Sequence, residues 1–220
     1  MKACRKFRPH IIVLLGDFAD CGPLSAHARS KIEPSDFAHD VREVRRQLAR
    51  LESMGADRLI YIMGNHEFRL DRYVADRAPA LFNVVNLNEL FELDAHGWEV
   101  CRYRKTFRLG KLNLTHDTGS AGMNAHRTAA QKHMGSTIIG HTHRFAYEVK
   151  GKFDGVPYLA AMFGWLGDAE AADYLHEAQS ASDWAHGFGY GYMEEESEVV
   201  HVVPVPIIKG QCVLEGELLS

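Results

Sequence analysis

The sequence predicts an α/β layered fold, and three observations carry that prediction. Short apolar runs end at once in polar residues, an amphipathic helix separates the first two runs, and the later part of the chain turns to short β segments. Residues 11–15 run into Gly16-Asp17, 59–63 into Gly64-Asn65-His66, 112–114 into Thr115-His116-Asp117, and 137–139 into Gly140-His141-Thr142-His143. Unbroken apolar runs of this length suit strands buried on both faces.

The intervening helix is expected over residues 35–53. Val41, Val44, Leu48 and Leu51 recur at three- and four-residue spacing, with Arg and Glu on the other faces. Ser35 is the expected N-cap and Gly55 the expected stop. A second helix is expected from about Glu67, with Leu70, Tyr73 and Val74 turned inward. Strand–helix–strand alternation of this kind builds α/β layers. Beyond Phe145, β segments are expected at 145–149, 156–160, 187–192 and 199–207, with Glu194-Glu195-Glu196 as a solvated hairpin tip. The polar, Ala-rich stretch 164–186 reads as a loop with a short helix. No repeat or low-complexity linker interrupts the chain, so residues 1–220 are expected to form one domain.

Composition narrows the function. Hydrophobic residues make up 46% of the 220 and charged residues 25%, enough to bury a core without disulfides. The net charge of −4 offers no broad basic surface for coating a duplex, so nucleic acid is not indicated as a partner by charge. Cys4, Cys21, Cys101 and Cys212 form no CxxC pair, so free thiols in a reducing compartment are expected, with the cytoplasm as default. No apolar run is long enough to span a membrane. Thirteen dispersed histidines are the compositional oddity, and only their positions give them meaning.

An open α/β sheet binds ligands beyond the carboxyl ends of its strands. The four strand endings here supply Asp17, Asn65, His116, His141 and His143. Each alone could be a turn residue satisfying its own backbone. Together they make a mixed carboxylate, amide and imidazole donor set, which suits Mn, Fe or Zn rather than Ca. A carboxylate can bridge two cations about 3.5–4 Å apart, an arrangement that activates water and clamps phosphoryl oxygens.

Gly16-Asp17-Phe18-Ala19-Asp20 resembles the motif GDxxD, Gly64-Asn65-His66-Glu67 matches GNHE, His116 stands where a lone motif histidine belongs, and Gly140-His141-Thr142-His143 matches GHTH. In order and spacing the chain resembles the calcineurin-like metallophosphoesterases, closely over residues 9–144. The resemblance implies a four-layer α-β-β-α sandwich of two mixed sheets and hydrolysis of phosphomonoesters or phosphodiesters. It implies two divalent ions (Mn, Fe, Zn or Ni) that activate a water. Asp17 would bridge the ions, Asn65, His116 and His141 would complete one site, and His143 would serve the other. His66 resembles the proton donor to the leaving group, and Asp20 the carboxylate that orients it. With Cys21 in the place of a family phosphate-clamping Arg, Arg69 or Arg144, with Arg72 a further candidate, is expected to take over phosphate contact.

Two departures qualify the match. The family opens with a strand ending in D-x-H, and none precedes Asp17, so an upstream first strand is expected to be missing and one metal site to be weak or empty. Cys21 stands where phosphoprotein phosphatases of the superfamily carry a phosphate-clamping Arg, which argues against a phosphoprotein substrate. An exonuclease-like phosphodiesterase and a non-catalytic scaffold of the same fold are the alternatives, and stretch 164–187 is the expected specificity segment.

Overall fold

The structure, a computed structural model, describes residues 1–26, 36–152, 155–167 and 183–220. The chain divides into two compact units, Met1–Lys105 and Thr106–Ser220.

In the first unit, α1 (Lys2–Phe7) leads to β1 (Ile11–Leu14), α2 (Phe37–Glu52), β2 (Arg58–Ile62), α3 (Phe68–Arg77), α4 (Leu87–Leu90) and β3 (Trp98–Cys101). The strands form a parallel sheet in the order β1-β2-β3, with Val13 opposite Ile60 and Ile62 opposite Cys101. Parallel neighbours cannot be joined by a hairpin, so each pair needs a crossover. Helix α2 lies in the first crossover, α3 and α4 in the second. As the unbroken apolar run requires, Leu59, Ile60, Tyr61 and Ile62 are all buried.

Asp36 caps α2 by accepting from the Ala38 N–H at 2.9 Å. The expected cap, Ser35, lies outside the described residues. The helix closes on Ser53, whose N–H reaches the Ala49 carbonyl, two residues before Gly55. Its Val44, Leu48 and Leu51 pack with Ile12, Leu59, Tyr61, Leu70, Val74 and Trp98 in one core. Trp98 also donates its indole N–H to Glu52 at 2.8 Å. Tyr73 departs from expectation. It is 45% exposed, because Leu70 and Val74 define the buried stripe of α3 and Tyr73 falls on its flank.

The second unit holds β4 (Phe107–Leu109), β5 (Leu112–Thr115), α5 (Ala125–His133), β6 (Thr137–Ile139), β7 (Phe145–Lys152), β8 (Gly155–Phe163), β9 (His186–Met193), β10 (Val200–Ile207), β11 (Cys212–Leu214) and β12 (Glu217–Leu219). A mixed five-stranded sheet runs β4-β5-β6-β8-β7, with β5, β6 and β8 parallel and antiparallel strands at both edges. β9 and β10 form a hairpin closed where Glu194 N–H meets the Val199 carbonyl, which puts Glu194-Glu195-Glu196 at the expected tip. Two glycines of β9 are required by close packing: a Cβ on Gly187 or Gly189 would lie 2.4 Å from the ring of Phe145 or Phe163. No described helix is long and apolar enough to cross a membrane.

One buried base makes this unit sensitive to acid. His126 on α5 is 3% exposed, with Nε2 3.5 Å from Glu148. Glu148 itself is drawn down to about 2 by hydrogen bonds from Arg127 and Lys150. Burial lowers the His126 pKa and outweighs the opposing pull of Glu148. The unfolded chain therefore takes up a proton near pH 6.5 that the folded chain refuses, so this contribution to stability is full above that pH and is lost as pH falls below it. Thermal melts of the wild type and His126→Leu from pH 7.5 to 5.5 are expected to diverge, with the wild type losing more stability on acidification.

Candidate functional site

In the first unit the polar residues after β1 and β2 are locked together by one buried carboxylate. Glu67 is 1% exposed. Its Oε2 accepts the N–H groups of Asp17 (2.9 Å) and Gly64 (2.8 Å), and its Oε1 accepts the Ala19 N–H (3.0 Å) and the Tyr61 hydroxyl (2.8 Å). Asp17 has a left-handed backbone with φ of 54°, a strained conformation for a residue with a Cβ. Its Oδ1 accepts the His66 N–H at 2.9 Å, so the two strand ends are stitched in both directions. Gly64 leaves no room for a side chain: a Cβ there would fall 2.1 Å from Asp17 Oδ1.

The imidazole of His66 is fixed in this frame. Its Nδ1 lies 2.9 Å from Asp20 Oδ1, and its Nε2 lies 3.8 Å from Asp17 Oδ2. Partial desolvation raises the Asp20 pKa, but the hydrogen bond from His66 and the charges of His66 and Arg69 prevail and hold it below its ordinary value. A carboxylate at Nδ1 sets the tautomer and direction of an imidazole, the arrangement general acid–base chemistry uses. Asn65 sits half-buried in the turn that follows β2. Arg69 is turned onto Asp20, donating to its carbonyl at 2.6 Å and approaching its carboxylate at 3.4 Å. Cys21 is fully buried with φ of 47°. Burial, then the charge of Glu67, pushes its thiol far up, so it is an inert packing group.

In the second unit the residues after β5 and β6 lie side by side. His116 is buried, and its ring centre lies 5.2 Å from that of His141 at a steep angle of 70°. The Gly140 N–H donates to the carbonyls of His116 (3.0 Å) and Thr115 (3.3 Å). His141 and His143 both take left-handed backbones, φ 64° and 56°, on either side of buried Thr142. The His143 ring stacks on Trp165 (5.4 Å, 17°) and meets Trp184 edge-on (4.1 Å, 88°), while Trp165 also stacks on His186. Arg144 is held by Asp183 and by the Ala121 carbonyl.

Three of the residues read from the sequence as ligands thus share left-handed strain, a feature that clusters where side chains must be aimed. Against known families, the sequence matches the one described as calcineurin-like phosphoesterase over residues 1–184. The chain belongs to the calcineurin-like phosphoesterase family. No curated protein and no solved structure gives a significant match.

For this member of the calcineurin-like phosphoesterases, the structure brings Asp17, Asp20, Asn65, His66 and Arg69 to one sheet margin, and His116, His141 and His143 to another. Sequence reasoning missed what holds them. Glu67 was legible as the last letter of GNHE, but its role required knowing that four donors converge on it. The Trp165–Trp184 bracket around His143 had no spacing signal at all. The expected specificity segment 164–187 lies in large part outside the described residues.

Proposed function

We propose that the protein is a metal-dependent hydrolase of phosphate monoesters or diesters, acting in the cytoplasm through two divalent cations such as Mn. The support is the family membership together with one arrangement, the Asp20–His66 pair aimed along Asp17. Asp17, His116 and His141 are a carboxylate and two imidazoles of the kind that could hold a divalent ion. With Asn65 they serve one cation in this reading. Asp17 and His143 would hold the second, more weakly. Bound there, the cations supply a water acidic enough to be a nucleophile near neutral pH and charge to steady the phosphoryl oxygens.

The chain's own residues do the rest. Glu67 fixes the backbone of Asp17 and Gly64, so the Asp17 carboxylate, which would bridge the cations, is aimed before any ligand arrives. With its Nδ1–H engaged by Asp20, the His66 imidazolium carries its second proton at Nε2 and gives it to the leaving alkoxide. Arg69 neutralises Asp20 rather than reaching outward. Purified protein is expected to hydrolyse bis-p-nitrophenyl phosphate when Mn is added, to lose turnover in chelator, and to fall by at least about 10²-fold in kcat as Asp17→Asn. Absence of turnover with every divalent ion, in protein shown to be folded, would assign the chain to a non-catalytic scaffold instead.

A further inference from the structure

Phe68 and Tyr103 form an aromatic pair at the carboxyl margin of the first unit's sheet. Ile62 and Cys101 are register partners at the ends of β2 and β3. The segments that follow, one running through His66 to Phe68 and the other being Arg102-Tyr103-Arg104-Lys105, therefore leave the sheet side by side. The two rings lie 5.3 Å apart at a tilt of 36°. Phe68 is 43% exposed at the first turn of α3, although a phenylalanine gains nothing from water there. The Arg104 guanidinium sits 5.2 Å over the Tyr103 ring.

Charge at this margin runs against the chain as a whole. Arg102, Arg104 and Lys105 are exposed, and so is Arg72, one helical turn beyond Phe68. Asp71 is the acidic neighbour, with Arg102 pulling against the desolvation that raises its pKa. Arg72, Arg102, Arg104 and Lys105, close in sequence to the two rings and all exposed, make this margin locally basic in a chain of net charge −4. Cations alone would suit any anion. An exposed ring beside them, Phe68 backed by half-buried Tyr103, suits an anion that carries a flat π system, because a base stacks on the ring while its phosphate meets the guanidinium groups.

We infer that Phe68, Tyr103 and the Arg102–Lys105 cations form a stacking platform for an unpaired nucleotide whose phosphate is presented to His66, two residues from Phe68. This deepens the phosphoesterase reading and rests on it for the fate of that phosphate, while binding to the platform itself needs no cation. The substrate class is then a nucleotide phosphoester, either a mononucleotide ester or a single-stranded nucleic acid. It is not a phosphorylated protein side chain or a sugar phosphate.

The test is fluorescence anisotropy with labelled eight-residue oligothymidylate in chelator, so that binding is read without turnover. Wild type is expected to bind. Phe68→Ala, with its fold checked by circular dichroism, is expected to weaken binding roughly 5- to 150-fold, the range set by about 1–3 kcal/mol for one stacked base. Phe68→Leu keeps the apolar bulk but lacks a π face and should stay weak, whereas Phe68→Trp should restore binding. Arg104→Ala should flatten the salt dependence by about 0.7 in log–log slope, one phosphate contact on a single strand. Competition by thymidine monophosphate as strong per nucleotide as by the oligomer identifies the mononucleotide form, and competition by the oligomer alone identifies the single strand. Inorganic polyphosphate competing as well as the oligomer, or Phe68→Leu binding like wild type, would overturn the platform. The two readings separate cleanly. Hydrolysis of bis-p-nitrophenyl phosphate without oligonucleotide binding overturns the platform alone, and binding that depends on Phe68 without hydrolysis supports the platform while the enzyme reading fails.

Discussion

Glu67→Ala is expected to lower the midpoint of thermal unfolding by about 8–16 °C. The carboxylate serves three buried or part-buried backbone N–H groups and the hydroxyl of fully buried Tyr61. Each buried donor left without an acceptor costs about 1–3 kcal/mol, so a net loss of about 4 kcal/mol is a conservative reading. In a protein of this size each kcal/mol moves the midpoint by about 2–4 °C. Glu67→Gln keeps the volume and one acceptor oxygen but points an amide group at N–H donors, so it should fall between wild type and alanine. Differential scanning calorimetry of the three proteins checks the order. A Gln variant as stable as wild type would mean that volume, and not the convergence of donors, holds the two strand ends.

The second large effect is on chemistry. His66→Ala is expected to lower kcat about 10²- to 10⁴-fold for an alkyl phosphate ester, the usual worth of a placed general acid. It should cost far less for a p-nitrophenyl ester, whose leaving group departs without a proton. Asp20→Asn should show the same dependence on the leaving group in milder form, since the neutral amide cannot hold His66 Nδ1 as the carboxylate does at 2.9 Å. Steady-state rates across esters of graded leaving-group acidity give the comparison. An equal loss for every ester would assign His66 to ligand placement instead of proton transfer.

How much of this was legible in the sequence depended on whether the signal was local. β1, β2, β5 and β6 announced themselves as apolar runs, and the Val44, Leu48 and Leu51 stripe of α2 is where its period put it. β3 was not visible because Trp98-Glu99-Val100-Cys101 places a charged residue inside four positions, and only its pairing with β2 makes it a strand. α5 escaped for another reason: its buried face is built largely of alanines, Ala125, Ala129 and Ala130, which pack closely but give a weak hydrophobic period. At the site, the motif residues were readable because they follow the ends of β1, β2, β5 and β6. Their supports were not, since Glu67 reaches donors as far as 50 residues away and Arg69 reaches back to Asp20. The cationic run at Arg102–Lys105 was in plain view, yet it gains meaning only when Phe68 arrives beside Tyr103.

The bracket of indoles around His143 has a thermodynamic consequence. A histidine that captures an ion ordinarily surrenders the rotational freedom of its ring, and that loss of side-chain entropy is charged against affinity. Here Trp165 and Trp184 have already confined the ring during folding. In the proposed reading, a cation served by His143 would meet a ring whose ordering cost has already been met in folding.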